Sequence, residues 1–194
     1  MSAGDTAGSS DTDAERATAT AMLALSRRYL GEYLTKIRLA VSMLDERVVW
    51  ARPNEASNSI GNLMLHLAGN ARQWIVSGIG GGPDVRDRQS EFDQRAAIAV
   101  AVLIDRLEQT ISDVDRVLAS LTPADLHTRR TIQANDVTVL EAIYHVVEHF
   151  SMHTGQIILL AKADQADRVR FYDMVDGHPR LISEIHGRTP VHPR

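Results

Sequence analysis

Apolar residues recur at helical steps along most of this chain. Leu30, Leu34, Ile37, Val41 and Leu44 alternate four- and three-residue steps, and Leu23 carries the same stripe backwards. That spacing is the signature of a helix with one buried face, and it predicts a first helix over about residues 15–45. Trp50 and Pro53 fall in a connector, where proline continues a helix poorly. A second helix is expected over about residues 59–77, capped by Ser57 or Asn58 and stopped by the GIGGGP run at 78–83. Ile98, Val102, Leu107, Ile111, Val114 and Leu118 define the inward face of a third helix over about 94–120, closed by Thr122 and Pro123. A fourth, over about 139–163, opens at Thr138, with Glu141 placed to complete a capping box.

The remaining stretches lack that rhythm. Residues 84–93 are dense in charge and predict an ordered loop over one end of the helices. The stretch from His127 to Asp136 is too polar and β-branched for a helix. Residues 1–13 read as a flexible tail, and residues 165–194 as an extension with a small apolar cluster at Phe171–Val175. Four helices without a convincing strand run predict an all-α protein, a four-helix bundle over residues 14–164. Metal and cofactor sites of such bundles are built from side chains that project inward from facing helices.

Composition narrows the chemistry. The net charge of −4 leaves no basic footprint for a nucleic-acid partner. No apolar run reaches the length of a membrane span. The small, polar, acidic N-terminus lacks the apolar region of a secretory signal, so a cytoplasmic location is expected. Cysteine is absent, which removes disulfides, thiolate ligands and a cysteine nucleophile together. A metal ion must then be held by His, Asp or Glu, and thiol chemistry must use a thiol from outside.

The fourth helix carries His145, His149 and His153 at four-residue steps. Such residues drift by only about 40° per step around a helix, and neighbours lie about 6 Å apart at Cβ. Two imidazoles so placed can converge on one ion at about 2.1 Å from each nitrogen. By template counting, a chain with 8 histidines in 194 residues carries such a run about once in a hundred cases. A solvated polar stripe is the alternative, although its usual content is Glu, Lys, Arg or Gln. On the second helix His66 stands among Leu63, Leu65, Leu67 and Gly69, with Asn62 and Asn70 one turn to either side. A buried histidine there needs a partner, whether as a hydrogen-bonded core residue or as a ligand.

The segments NSIGNLMLHLAGNARQWI (58–75) and HVVEHFSMHTGQI (145–157) resemble the DinB-like superfamily, over about residues 20–163. The resemblance implies a four-helix bundle, often dimeric, that binds a divalent metal through three histidines. Carried over by position, the ligands are His66, His149 and His153. His145 matches a position that precedes the helix-four pair and is usually not a ligand. Zinc is the first candidate on ligand type, with nickel, iron and manganese also compatible. Three neutral imidazoles leave coordination positions open, as in catalytic rather than closed structural sites. Relatives in that superfamily use such a site with a low-molecular-weight thiol such as bacillithiol or mycothiol. The expected function is a metal-dependent thiol S-transferase acting on a small electrophilic substrate, in a homodimer. A metal-dependent hydrolase, or a non-catalytic metal-binding stress protein, is the alternative.

Other residues carry plainer expectations. Trp50 and Trp74 read as core or interface aromatics, Glu141 as a cap, and Glu148 as a solvated residue pointing away from His149. Asn62, Asn70 and Gln156 read equally as packing residues or as groups that orient imidazoles. Arg86, Arg88 and Glu91 belong to a loop after the glycine run, for which a border of the site mouth is one reading and a solvated loop the preferred one. His127, His178, His186 and His192 are expected to face water.

Overall fold

The computed structural model describes residues 6–165 and 169–182. Four long helices pack side by side: α1 (Thr6–Val41), α3 (Ile60–Ala71), α5 (Val100–Ser120) and α6 (Val139–Gln165). Short helices α2 (Glu46–Trp50) and α4 (Arg88–Asp93) lie in the connections. Both α1 and α3 pack against both α5 and α6, so each long helix has two long neighbours around one core. Leu30, Ile37, Leu67, Ile75, Leu103, Leu107, Ile143 and Phe150 fill that core with almost no exposure. The protein is an all-α helical bundle, as the apolar periodicity predicts. No helix among the described residues is long and apolar enough to cross a membrane.

The boundaries differ from the expected ones for local reasons. Helix α1 begins at Thr6, inside the stretch expected to be a tail. Residues 1–5 of that stretch lie outside the described residues. Ala14, Ala17, Ala19 and Ala21 are strong helix formers, and a helix already anchored at Leu23 propagates backwards cheaply. Helix α3 is capped by Ser59 rather than by Ser57 or Asn58. The Ser59 hydroxyl accepts from the Asn62 amide N–H at 3.1 Å, and the Asn62 side chain accepts from the Ser59 amide N–H at 3.2 Å. The end of α3 widens into a π turn over Arg72–Ser77, with Gly78 and Gly80 bonding five residues back to Gln73 and Ile75.

The third long helix starts at Val100, not at 94. In the intervening stretch backbone carbonyls are taken by side chains. Trp50 donates to the Ile98 carbonyl at 3.0 Å, and Asn62 donates to those of Glu91 and Gln94 at 2.8 and 3.1 Å. Leu103 shares the buried face of Leu107, Ile111, Val114 and Leu118 at four- and three-residue steps, whereas Val102, expected inside, lies one position off that face and is 49% exposed.

Among the described residues there are also two hairpins, where the sequence pattern predicts no strand. Strands β1 (Arg129–Ile132) and β2 (Asn135–Thr138) pair antiparallel, with Ile132 opposite Asn135. Strands β3 (Tyr172–Val175) and β4 (His178–Leu181) pair likewise, with Val175 opposite His178. The second hairpin belongs to the extension, which is fastened by buried Val169 and Phe171. Helix α6 opens as expected: the Glu141 carboxylate accepts from the Thr138 amide N–H at 2.6 Å, and the Thr138 hydroxyl accepts from the Glu141 amide N–H at 3.2 Å.

Candidate metal centre

Helices α3 and α6 lie against each other, and each turns a histidine-bearing face into their seam. On α3 the residues from Ile60 to Ala68 are all buried, so His66 enters the interior with its apolar neighbours at 5% exposure. On α6 the same seam receives His149, 8% exposed, and half-buried His153 one turn later. The three histidines expected as ligands come together: their candidate ligand atoms all lie within 4.8 Å of one another.

The nitrogens that face each other are all Nε2. His149 Nε2 is 3.0 Å from that of His66 and 3.2 Å from that of His153. Nitrogens bound to one ion at about 2.1 Å, with angles between a right angle and the tetrahedral value, stand about 3.0–3.4 Å apart. The other ring nitrogens decide where the protons are. His66 Nδ1 is 2.9 Å from Glu91 Oε2. Burial alone would raise the Glu91 carboxyl, but hydrogen bonds from Arg86 and His66 hold it below the ordinary range. It is therefore an ionised acceptor for a proton on His66 Nδ1, and Arg86 Nη2 also stands 3.1 Å from that nitrogen. His153 Nδ1 donates to Gln156 Oε1 at 2.7 Å. In their neutral forms both rings thus turn a bare Nε2 lone pair towards His149.

His149 cannot satisfy both by itself. A single proton on its Nε2 lies on one line and serves one neighbour. Burial first, and then the charges of His153, His66, His145 and Arg86, push its pKa down to about 3, so the ring is neutral at pH 7. Burial also lowers His153 and His145 below the ordinary histidine value. Neutral imidazoles with converging lone pairs are the donor set that a divalent cation requires, so these residues fit such an ion.

The surroundings are apolar on two sides. The Phe92 ring lies 4.7 Å from that of His66, and Trp74 lies 4.1 Å from that of His145. His145 itself is one turn from His149 with ring centroids 5.5 Å apart, and its Nε2 accepts from Asn70 Nδ2 at 3.3 Å. It stands beside the convergence point and not in it. The π turn of α3 carries Trp74 to this place; such widened turns recur at functional sites.

Residues 17–177 match the family described as "Protein of unknown function (DUF1572)". The chain belongs to that family. A crystal structure of the conserved protein of a locus from Enterococcus faecalis is similar to this DUF1572 protein in fold. The TM-score is 0.61 over 74% of this chain and 97% of that one, at 16% identity. Identity at that level speaks for the fold alone. No curated protein matches the chain.

Several expectations are settled by position in this DUF1572 chain. Asn62 serves the α3 cap and the carbonyls of the α4 region, whereas Gln156 orients a candidate ligand. Glu148 is exposed and Glu141 is a cap. His127 and His178 face solvent, while His186 and His192 lie outside the described residues. Trp74 is a core aromatic that also borders the site. The main correction concerns residues 84–93: Glu91 is 7% exposed, and with Arg86 it is packed behind His66 instead of being solvated. Arg88 keeps the exposed position expected of it and lies over the Phe92 ring.

Proposed function

We propose that this chain is a metal-dependent enzyme of the DinB-like kind, transferring a low-molecular-weight thiol to a small electrophilic substrate. The observation that carries the metal part is the convergence of three Nε2 atoms, with Nδ1 of His66 and of His153 each facing an oxygen acceptor. His66, His149 and His153 would hold the ion, with zinc the first candidate and nickel, iron or manganese accommodated by the same donors. A bound divalent ion supplies Lewis acidity, which favours the thiolate form of a thiol and polarises an electrophile beside it.

The protein's own residues hold and shield that centre. Glu91 and Gln156 keep the His66 and His153 protons on Nδ1, leaving Nε2 free. Phe92 packs against His66 and Trp74 against His145, so apolar rings border the histidine cluster on two sides. The absence of cysteine means that the thiol is a cosubstrate and not a side chain. The DinB-like resemblance also supports a homodimer.

Metal analysis by mass spectrometry on untagged protein, beside the His149→Ala variant, tests the reading first. The expected result is about one equivalent in the wild type, lost in the variant. The loaded protein is then assayed on small electrophiles with mycothiol, bacillithiol or glutathione. Thiol-dependent turnover that disappears with the metal supports the transferase. Turnover without thiol reassigns the chain to hydrolysis, and metal without turnover on either substrate class leaves a metal-binding protein. Light scattering at micromolar concentration is expected to give the mass of a dimer.

A further inference from the structure

The stretch from Pro83 to Arg95 contains no metal ligand, yet it is fastened to α3 more tightly than a connection requires. Asn62 and Arg52 hold the carbonyls of Glu91, Phe92 and Gln94 at 2.8–3.1 Å. Arg86 folds back, with a nearly buried side chain, and grips both oxygens of Glu91: Nε donates to Oε1 at 2.7 Å and Nη2 to Oε2 at 2.9 Å. Its remaining Nη1 donates to Gln73 Oε1 at 2.9 Å on the π turn of α3. The carboxylate so held meets His66 Nδ1 at 2.9 Å.

The helix surface is cut to admit this carboxylate. At Gly69 a Cβ would fall 1.9 Å from Glu91 Oε1 and 2.9 Å from Arg86 Nε. Any side chain there would push the pair off α3 and away from His66, three residues earlier. A buried ion pair is weak support for stability, because desolvating two charges offsets most of their attraction. What this one achieves is a fixed orientation for one imidazole. Partners of this kind commonly alter metal affinity 10–100-fold.

We infer that Glu91 is a positioning residue for the metal ligand His66, with Arg86 fixing the carboxylate and Gly69 forming its socket. The inference rests on the metal-centre reading above. Its test is competition titration of zinc, and titration of cobalt followed by visible absorption, on untagged wild type, Glu91→Ala, Glu91→Gln and Gly69→Ala. Asp113→Ala, which breaks a surface ion-pair cluster on α5, serves as control. Circular dichroism and melting of each metal-free protein separate folding from binding.

The expected result is a 10–100-fold loss of zinc affinity in Glu91→Ala, with the control unchanged. Gly69→Ala loses affinity too, although it removes no polar group. Glu91→Gln, whose amide oxygen can still accept from His66 Nδ1, keeps part of the affinity and shifts the cobalt absorption band. Variants that melt lower without metal but bind zinc as tightly as the wild type overturn the positioning role and leave the metal centre standing. Wild type that takes up neither ion overturns both. If Glu91→Ala does not fold, the near-isosteric Glu91→Gln and Gly69→Ala give the same decision.

Discussion

His149 sits between two imidazoles whose free lone pairs face it, and that position sets how it titrates. Its ring stays neutral down to about pH 3 in the folded protein, whereas in an unfolded chain it protonates near pH 6.5, roughly the model-peptide value. Between these values the unfolded state binds a proton that the folded state refuses, so stability falls as the pH is lowered through that window. Above about pH 6.5 the contribution is fully present. With metal removed by chelator, urea denaturation is therefore expected to show lower stability at pH 5 than at pH 7. A His149→Leu variant is expected to show a flatter dependence, and an equally steep one would assign the slope to other groups. Four-residue spacing marked His145, His149 and His153 as candidates, and apolar neighbours marked His66 as a buried polar group. Spacing does not separate His145 from the other two; the choice of His66, His149 and His153 rests on the DinB-like resemblance. Glu91 and Arg86 were not legible, since in a stretch as charged as 84–93 every residue looks solvated. A weak signal was there: Gly69 lies one turn from His66, and a helical glycine can mark the close approach of another group.

Among the elements, long helices were readable and short ones were not. A stripe such as Leu30, Leu34, Ile37, Val41 and Leu44 repeats often enough to identify its period, whereas four-residue strands show no period at all. The hairpins are specified by their turns. Asp176 and Gly177 have φ of 50° and 77°, and an Asp-Gly pair with both φ positive is a favoured two-residue turn. The other turn, Gln133 and Ala134, has φ of 50° and 62° without a glycine, so no sequence pattern announces it. Ala134 carries a Cβ in a region that costs a non-glycine residue about 1 kcal/mol or more. Ala134→Gly is thus expected to stabilise the protein by about 0.5–1 kcal/mol after glycine's greater unfolded-state entropy is set against the relieved strain. Chemical denaturation with an unchanged slope checks it. The capped starts give a matching prediction in the other direction. Ser59→Ala removes the Oγ that accepts from the Asn62 amide N–H, and Asn62 in turn holds the α4 region. A cost of about 1–2 kcal/mol is expected, towards the upper end for a buried cap.

At the scale of the whole molecule the candidate metal centre joins two helices far apart in sequence, because His66 comes from α3 and His149 and His153 from α6. The bundle already has an apolar core along its full length, so it is expected to fold without metal, unlike a small domain whose ion replaces a core. An ion that binds only the assembled site must nonetheless stabilise the folded state. At free zinc about a hundredfold above the dissociation constant the gain is about 2.7 kcal/mol. For a chain of this size each kcal/mol moves the melting midpoint by about 2–4 °C, so a rise of roughly 5–10 °C is expected. Chelator should reverse it, and the rise should vanish in His66→Ala and His149→Ala alike, although the two residues lie on different helices. Differential scanning calorimetry of untagged protein reads this directly. Loss of the shift in His149→Ala but not in His66→Ala would mean that zinc is held on a single helix, by the four-residue histidine run alone. The seam between α3 and α6 would then be a packing interface and not a metal centre.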